Sequence, residues 1–182
     1  MRLNKIFKNT LLVISAGIIL TACATKKEVS TTKEAPKKEE PKKEEVTKIE
    51  KIAGQMQGDV FVGTDSVKYL ADGVPDRVFF ATNESILTTA SRETLRAQAA
   101  WLRENTNITI VLEGHADERG TREYNLALGE RRANSAKDYL MTYGISSDRI
   151  TVISYGKERP VVSGSNPLAW SKNRRSVTVK AN

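Results

Sequence analysis

Apolar and polar residues follow two different spacings along the chain after residue 76, and these spacings predict strands and helices. Runs rich in β-branched and aromatic residues predict strands, at residues 77–80, 108–112, 150–155 and 177–180. Apolar residues three or four positions apart predict helices, at residues 90–104, 122–143 and, for a short piece, 168–173. The predicted order is therefore βαβαβ(α)β.

The ends and faces of the two longer helices carry further signals. Thr88 or Thr89 can cap the start of the first helix, and Gly144 suits the C-terminal cap of the second. The apolar faces comprise Leu95, Ala99 and Leu102 in the first helix and Leu126, Ala133, Ala136 and Leu140 in the second.

The alternation of strands with helices predicts the fold class. Such an order favours a sheet with parallel strand pairs and with helices packed on it. The run at 108–112 is typical of a strand that is buried on both faces, and the closing strand can be antiparallel. We therefore predict an α/β fold, an α+β sandwich with a four-stranded mixed sheet and helices packed on it.

The first 23 residues resemble the export signal of a bacterial lipoprotein. Residues 1–22 have a basic start, an apolar core at Leu11–Leu20 and small residues after it. This core is shorter than the roughly 20 residues that a membrane span needs. The sole cysteine, Cys23, follows Leu20-Thr21-Ala22, which resembles a lipobox. We expect a covalent lipid on Cys23 and no other cofactor; an ordinary export signal followed by an unmodified thiol is the alternative.

A charged segment separates Cys23 from the predicted domain. Residues 26–48 consist almost entirely of Lys, Glu, Thr and Pro, a composition that predicts a disordered tether. A solvated helix held by Glu–Lys pairs is the alternative. We interpret residues 54–73 as a lead-in to the domain. The predicted organisation is a signal peptide at 1–22, the lipidated Cys23 and tether with lead-in at 23–66, and a folded domain at 67–182.

The charge of the chain argues against a nucleic-acid partner. The formal charge of +7 falls to +4 when Arg2, Lys5 and Lys8 are removed with the signal. This excess is modest, and an exported protein would also have to meet nucleic acid outside the cytoplasm. We therefore expect no nucleic-acid partner.

The central sequence resembles a known family. EGHADERGTREYNLALGERRANSAKDYL at residues 113–140, ISYGKERP at 153–160 and SKNRR at 171–175 closely resemble the OmpA-like domain family, in the form found in peptidoglycan-associated lipoproteins. The resemblance covers about residues 76–180. It implies a non-catalytic module that binds the meso-diaminopimelate of the peptidoglycan peptide stem. It also implies an outer-membrane anchor facing the periplasm, and a role in the Tol-Pal system at cell division, with TolB and other Tol proteins as partners.

The resemblance also implies which residues bind the ligand. By the family motif, Arg132 clamps a carboxylate of diaminopimelate, as a guanidinium can do with two hydrogen bonds, and Asp117 faces the ammonium. Asn125, Asn83 and Arg174 match further binding positions. The alternative is that Asp117 and Arg132 merely pair with each other.

Three other residues in or near this motif, His115, Trp170 and Ala81, carry further information. His115 is the sole histidine, and without a second histidine or a nearby cysteine it does not complete a usual zinc site. We expect it to orient its loop by hydrogen bonding, and we expect no metal. Trp170 is expected in the core or as its cover. Ala81 departs from the family, in which an Asp commonly follows the aromatic pair.

Two other classes of function remain open. A hydrolase acting on peptidoglycan would need a nucleophilic or metal constellation, and the sequence offers no credible one, so we expect a protein that is not an enzyme. A scaffold for protein partners in the periplasm, with peptidoglycan binding secondary, is the alternative to the anchoring function.

Overall fold

The computed structural model describes residues 55–63 and 67–181. The predicted signal peptide, Cys23 and the tether therefore lie outside the described residues. The strands are β1 (Met56–Gln57), β2 (Val60–Phe61), β3 (Tyr69–Ala71), β4 (Val74–Pro75), β5 (Arg77–Phe79), β6 (Ile110–His115), β7 (Ile150–Gly156) and β8 (Arg175–Lys180). The α-helices are α1 (Thr89–Glu104), α2 (Arg122–Thr142) and α3 (Pro167–Asn173), and a 3-10 turn spans Ser147–Arg149.

The main sheet has four strands in the order β5-β8-β6-β7. β6 and β7 are parallel, and β8 is antiparallel to both β5 and β6. The predicted βαβαβ(α)β order and four-stranded mixed sheet are thus confirmed. Because β8 runs against its two neighbours, β5, β6 and β7 all end at the same edge of the sheet, where β8 begins.

The core lies between one face of the sheet and the helices α1 and α2. Leu95, Ala99 and Leu102 of α1 are almost fully buried, as predicted, and pack with Ile110 and Leu112 of β6. Burying a side chain such as leucine contributes about 2 kcal/mol. The Thr88 side chain caps α1 by accepting a hydrogen bond from the Ser91 N–H.

Helix α2 lies against β6 at a contact between two glycines. A Cβ atom at Gly114 would lie 1.8 Å from the carbonyl oxygen of Gly129. A Cβ atom at Gly129 would in turn lie 2.4 Å from the Ser154 Oγ. Glycine at both positions therefore sets the distance between α2 and the sheet.

The buried stripe of α2 differs from the predicted one. Ala133, Ala136 and Leu140 are buried as expected, but Leu126 is only half-buried. The N-terminal half of the stripe instead consists of Asn125, Leu128, Gly129 and Arg132. The prediction failed there because a search for apolar periodicity passes over buried polar side chains.

The strand boundaries also differ in detail. The predicted strand at 108–112 begins at Ile110 and continues to His115, and only its helix-facing side is fully buried, since Val111 and Glu113 are half-buried. The predicted strand at 177–180 begins at Arg175. Pairing with β7 extends β6 to His115, and pairing with β5 extends β8 back to Arg175.

The segment predicted as a lead-in folds onto the domain. Strands β1 and β2 form a short antiparallel hairpin. Phe61 of this hairpin is buried, and its ring meets the ring of Phe79 edge-on with centroids 4.8 Å apart. Strands β3 and β4 form a second hairpin. Within residues 55–63 and 67–181, no helix combines the length and apolar character needed to span a membrane.

Candidate functional site

A cavity lies at the edge of the sheet where β5 and β6 end. The loop after β5 and the loop between β6 and α2 form its walls, and its volume is about 530 Å3. The lining residues are Thr82, Asn83, Arg119, Gly120, Thr121 and Tyr124. Thr121 caps α2 by accepting a hydrogen bond from the Tyr124 N–H. The positive end of the helix dipole therefore adjoins the cavity and favours an anionic ligand group.

Arg132 lies behind this cavity and is fully buried. Its guanidinium donates to three backbone carbonyls, those of Glu84 at 2.8 Å, His115 at 2.9 Å and Ala81 at 3.0 Å. Burial lowers the pKa of Arg132 to about 10, so the group remains charged at neutral pH. Arg132 thus joins the loop after β5 to the end of β6 and places a positive charge beside the cavity.

The carboxylate of Asp117 is held by two arginines. Arg119 donates from Nε to Oδ1 at 3.0 Å and from Nη2 to Oδ2 at 2.7 Å, and Arg174 donates from Nη1 to Oδ2 at 3.3 Å. Burial by itself would raise the pKa of Asp117, but the hydrogen bonds from Arg119 and Arg174 outweigh it and hold the pKa below its usual value. Asp117 is therefore ionised at neutral pH.

The predicted alternative, a direct pair between Asp117 and Arg132, is not what forms. Within residues 55–63 and 67–181, the ion pairs of Asp117 are with Arg119 and Arg174. In the same described residues, Arg132 reaches this side of the site through the backbone carbonyl of His115, at the end of β6. Asp117 and Arg132 therefore lie close together while each keeps partners of its own.

Arg174 links the site to the N-terminal hairpin. It is buried and donates from Nε to the Phe80 carbonyl at 3.0 Å, while Nη2 donates to the Asp59 carbonyl. The Asp59 carboxylate also accepts a hydrogen bond from the Thr82 N–H at 2.6 Å. Asp59, in the hairpin, therefore contacts both Arg174 and the loop after β5, which are far apart in the sequence.

The two asparagines of the predicted site differ in position. Asn125 is buried, and its Nδ2 donates to the Arg119 carbonyl at 2.7 Å, so it fixes the loop between β6 and α2. Asn83 is exposed and lines the cavity with a φ of +58°. Asparagine tolerates this left-handed conformation better than most residues. Asn83 therefore faces the cavity, while Asn125 supports its wall.

A second cavity of about 240 Å3 adjoins the first. Its lining comprises Met56, Gly58, Asp59, Thr82, Arg119, Pro167, Trp170 and Arg174. Thr82 and Arg119 line both cavities. The Arg119 guanidinium lies 4.3 Å from the centre of the Trp170 ring, and the Trp170 Nε1 donates to Glu118 at 2.9 Å. Trp170, expected in the core or as its cover, therefore forms part of the site.

The buried charges of this site are mainly positive. Among the described residues, Arg132 and Arg174 are buried near a single buried carboxylate, that of Asp117, whereas Arg119, Asp59 and Glu118 are more exposed. Low-dielectric surroundings strengthen the attraction of such a cluster for anions. The arrangement suits a small zwitterion that carries a carboxylate for the arginines and an ammonium for Asp117.

His115 does not orient the loop through its ring, which corrects our expectation. Neither ring nitrogen has a hydrogen-bond partner among the described residues. The Glu113 carboxylate lies 3.6 Å from Nε2, and the ring stacks on Tyr155. Burial, with contributions from nearby arginines, lowers the pKa of His115 to about 3. The backbone carbonyl of His115, rather than its ring, contacts the site. The part of the chain described by the structure contains no cluster of three or more potential metal ligands.

Sequence reasoning missed three residues of this site. They are Arg119, Asp59 and Trp170. The spacing of Asp117 and Arg119, two residues apart in a loop, was a signal for their ion pair. No local signal connects Asp59 with Arg174, because the two residues are separated by 115 positions.

Comparison with known proteins gives consistent results. The model of the OmpA family matches residues 79–174. A relative from Mesorhizobium japonicum, named peptidoglycan-associated lipoprotein, is 53% identical over 105 residues, which cover 58% of this chain and 62% of the relative. A relative of the same name from Pasteurella multocida is 38% identical over 131 residues, covering 72% of this chain and 83% of the relative.

A solved structure agrees with this match. The crystal structure of the peptidoglycan-associated lipoprotein from Burkholderia pseudomallei has a TM-score of 0.56 and 33% identity to this chain. The similarity covers 58% of this chain and 89% of that chain. The match covers less than two thirds of the length of the Mesorhizobium relative. The residues that line the first cavity lie within residues 79–174, which the family model matches.

Proposed function

The chain belongs to the OmpA family, and on this basis we propose that it binds peptidoglycan through the cavity between the β5 and β6 loops. The observation that supports this most directly is the position of Asp117 between Arg119, Arg174 and the nearby buried Arg132. Such a site complements a zwitterionic amino acid better than it complements a purely anionic or apolar ligand. The relatives are named for an association with peptidoglycan.

The proposed ligand group is the free end of meso-diaminopimelate in the peptide stem. Its ammonium would meet the Asp117 carboxylate. Its carboxylate would meet the positive side of the cavity, formed by Arg132, Arg174 and the N-terminus of α2. Arg132 already donates to three backbone carbonyls and is fully buried. It would therefore attract the ligand carboxylate through its charge from behind the cavity, whereas Asn83 offers its amide from the rim.

We also propose that the chain is a lipoprotein anchored in the outer membrane through Cys23. A diacylated or triacylated cysteine provides the two or more chains that stable anchoring requires. The domain would then hold the outer membrane to the cell wall without a covalent bond, as a binding protein rather than an enzyme. Tol-Pal membership, TolB as a competing partner and a role at division are further parts of the proposal.

Sedimentation with isolated peptidoglycan tests the proposed ligand. The purified protein should pellet with peptidoglycan, and free meso-diaminopimelate should release it into the supernatant. A folded protein that stays in the supernatant would contradict peptidoglycan binding and favour a protein partner. Co-sedimentation that free diaminopimelate leaves unchanged would place binding on another part of peptidoglycan.

A single substitution then tests the proposed site. Asp117→Asn removes the charge that meets the ligand ammonium while keeping the shape of the side chain, and we expect at least a tenfold loss of affinity, about 1.4 kcal/mol. Asp138→Asn is the matched control, because Asp138 is exposed on α2. Equal binding by both variants would reject the assignment of Asp117.

A further inference from the structure

The Asp117 carboxylate, which we assign to the ligand ammonium, already forms an ion pair with an arginine of the protein. Arg119 meets both oxygens of Asp117, through Nε at 3.0 Å and Nη2 at 2.7 Å. Only 9% of the Asp117 side chain is exposed, whereas 42% of the Arg119 side chain is exposed. A ligand ammonium that approaches Asp117 from solvent therefore meets Arg119 first.

We propose that Arg119 is a displaceable internal cation: it occupies the ammonium subsite on Asp117 in the free protein and rotates out when a ligand ammonium takes its place. This inference rests on the proposed function. It makes Arg119 a specificity-determining residue, because a ligand without a cation would leave Asp117 paired with Arg119.

The contacts of the two arginines show which one can leave. Arg174 is buried and also donates to the carbonyls of Phe80 and Asp59, so its removal would leave several buried groups without partners. Among residues 55–63 and 67–181, the Arg119 guanidinium meets, beyond Asp117, only the Thr82 Oγ1 at 3.4 Å and the face of Trp170. Arg119 therefore has the weaker set of contacts.

The backbone of Arg119 stays fixed while its side chain moves. The Asn125 Nδ2 donates to the Arg119 carbonyl at 2.7 Å, and the Arg119 N–H donates to Asp117 Oδ1 at 3.1 Å. Rotation of the side chain alone is thus enough to uncover Asp117. The same rotation would open the wall that the two cavities share at Arg119 and join them into one groove.

Exchange of one cation for another reduces the net gain from binding. Without Arg119, the ligand ammonium would pair with Asp117 without first breaking an ion pair. A half-exposed pair of this kind is weak, and its loss should tighten binding about threefold to fivefold.

Calorimetric titration of the full-length protein in detergent with free meso-diaminopimelate tests the proposal. We expect Arg119→Ala to bind the free amino acid about threefold to fivefold more tightly than the wild type. Arg119→Gln, which keeps a polar side chain, should behave in the same way. Arg103→Ala is the control, because it removes the same charge from an exposed residue in the last turn of α1, outside both cavities. This control should bind like the wild type.

Guanidinium ion provides a second readout that a merely structural role would not change. At millimolar concentration it should fill the vacated subsite of Arg119→Ala and weaken binding toward the wild-type value, whereas sodium chloride at equal ionic strength should not. Weaker binding by Arg119→Ala would show that Arg119 contacts the ligand and would overturn the exchange, as would unchanged affinity. If the wild type binds neither peptidoglycan nor the free amino acid, the proposed function fails together with this inference. If the wild type binds and Arg119→Ala shows no gain in affinity, only the inference fails.

Discussion

Arg132 illustrates how one residue can serve both the fold and the site. The family motif predicts a carboxylate clamp, yet within the described part of the chain its hydrogen bonds go to the carbonyls of Ala81, Glu84 and His115. These contacts hold the loop after β5 against the end of β6. The guanidinium therefore supports the cavity wall from behind.

The first prediction concerns the stability of variants at this position. Arg132→Ala removes three hydrogen bonds from a buried charged group and leaves their carbonyls unpaired, so we expect a loss of about 3 kcal/mol or more in the free energy of unfolding. Arg131→Ala, at the exposed neighbouring position, should change it by less than about 0.5 kcal/mol. Urea unfolding of both variants measures the difference. A small loss for Arg132→Ala would mean that the backbone contacts are dispensable.

The second prediction concerns pH, through the sole histidine. The folded pKa of His115 is about 3, against an ordinary value of 6.5, because burial and then Arg175, Arg77 and Arg159 disfavour its charged form. Below about pH 6.5 the unfolded chain takes up a proton that the folded chain does not. Stability should therefore fall on acidification, with a slope that approaches about 1.4 kcal/mol per pH unit.

Urea unfolding at a series of pH values between about pH 7 and pH 5 measures this slope. In that range Asp117 and Asp59 stay ionised, since their pKa values lie below the usual range. The slope therefore belongs mainly to His115, and His115→Gln should largely remove it. A variant that keeps the wild-type slope would show that other groups cause the loss.

At the scale of elements, the contact of Gly114 with Gly129 positions α2 and thereby the site. Asn125 and Arg132 lie on α2, and Asp117 follows β6. The third prediction is that Gly114→Ala forces α2 away from β6, because the added Cβ would lie 1.8 Å from the Gly129 carbonyl oxygen. We expect a loss of about 3 kcal/mol in the free energy of unfolding together with weaker peptidoglycan binding.

Gly73 provides a control that distinguishes the effect of a steric clash from the effect of backbone strain. Gly73 has a φ of +73° but nothing within 4 Å of a Cβ, so Gly73→Ala should cost only the strain of a left-handed alanine, about 1 to 2 kcal/mol. Peptidoglycan binding should be unchanged in this control. Equal effects of the two substitutions on binding would argue against α2 position as the cause.

The elements were predictable from the sequence where local patterns determine them. The apolar face of α1 and its Thr88 cap were visible, as was the positive φ of Gly144 after α2. The start of β8 at Arg175 was not, because pairing with β5 sets it. The candidate site was predictable through the family motif, whereas the pair of Asp59 with Arg174 depends on tertiary contact between distant segments.

At the scale of the whole molecule, the hairpin of β1 and β2 couples the segment before the domain to the site. Asp59 accepts hydrogen bonds from Thr82 and Arg174, which both line the second cavity. Phe61 adds an apolar contact with Phe79. Residues 55–63 lie outside the part of the chain that the family model matches, so this support belongs to a segment beyond the family core.

The fourth prediction follows from this coupling. A fragment of residues 67–182 should be less stable than one of residues 55–182 by about 2 kcal/mol or more, because it loses the burial of Phe61. It should also bind peptidoglycan less tightly, since Arg174 loses its Asp59 partner. Phe61→Ala in the longer fragment separates the two effects: it should reproduce the loss of stability while Asp59 continues to hold Arg174. If the shorter fragment matched the longer one in both unfolding and sedimentation, the hairpin would be only a passive extension of the tether.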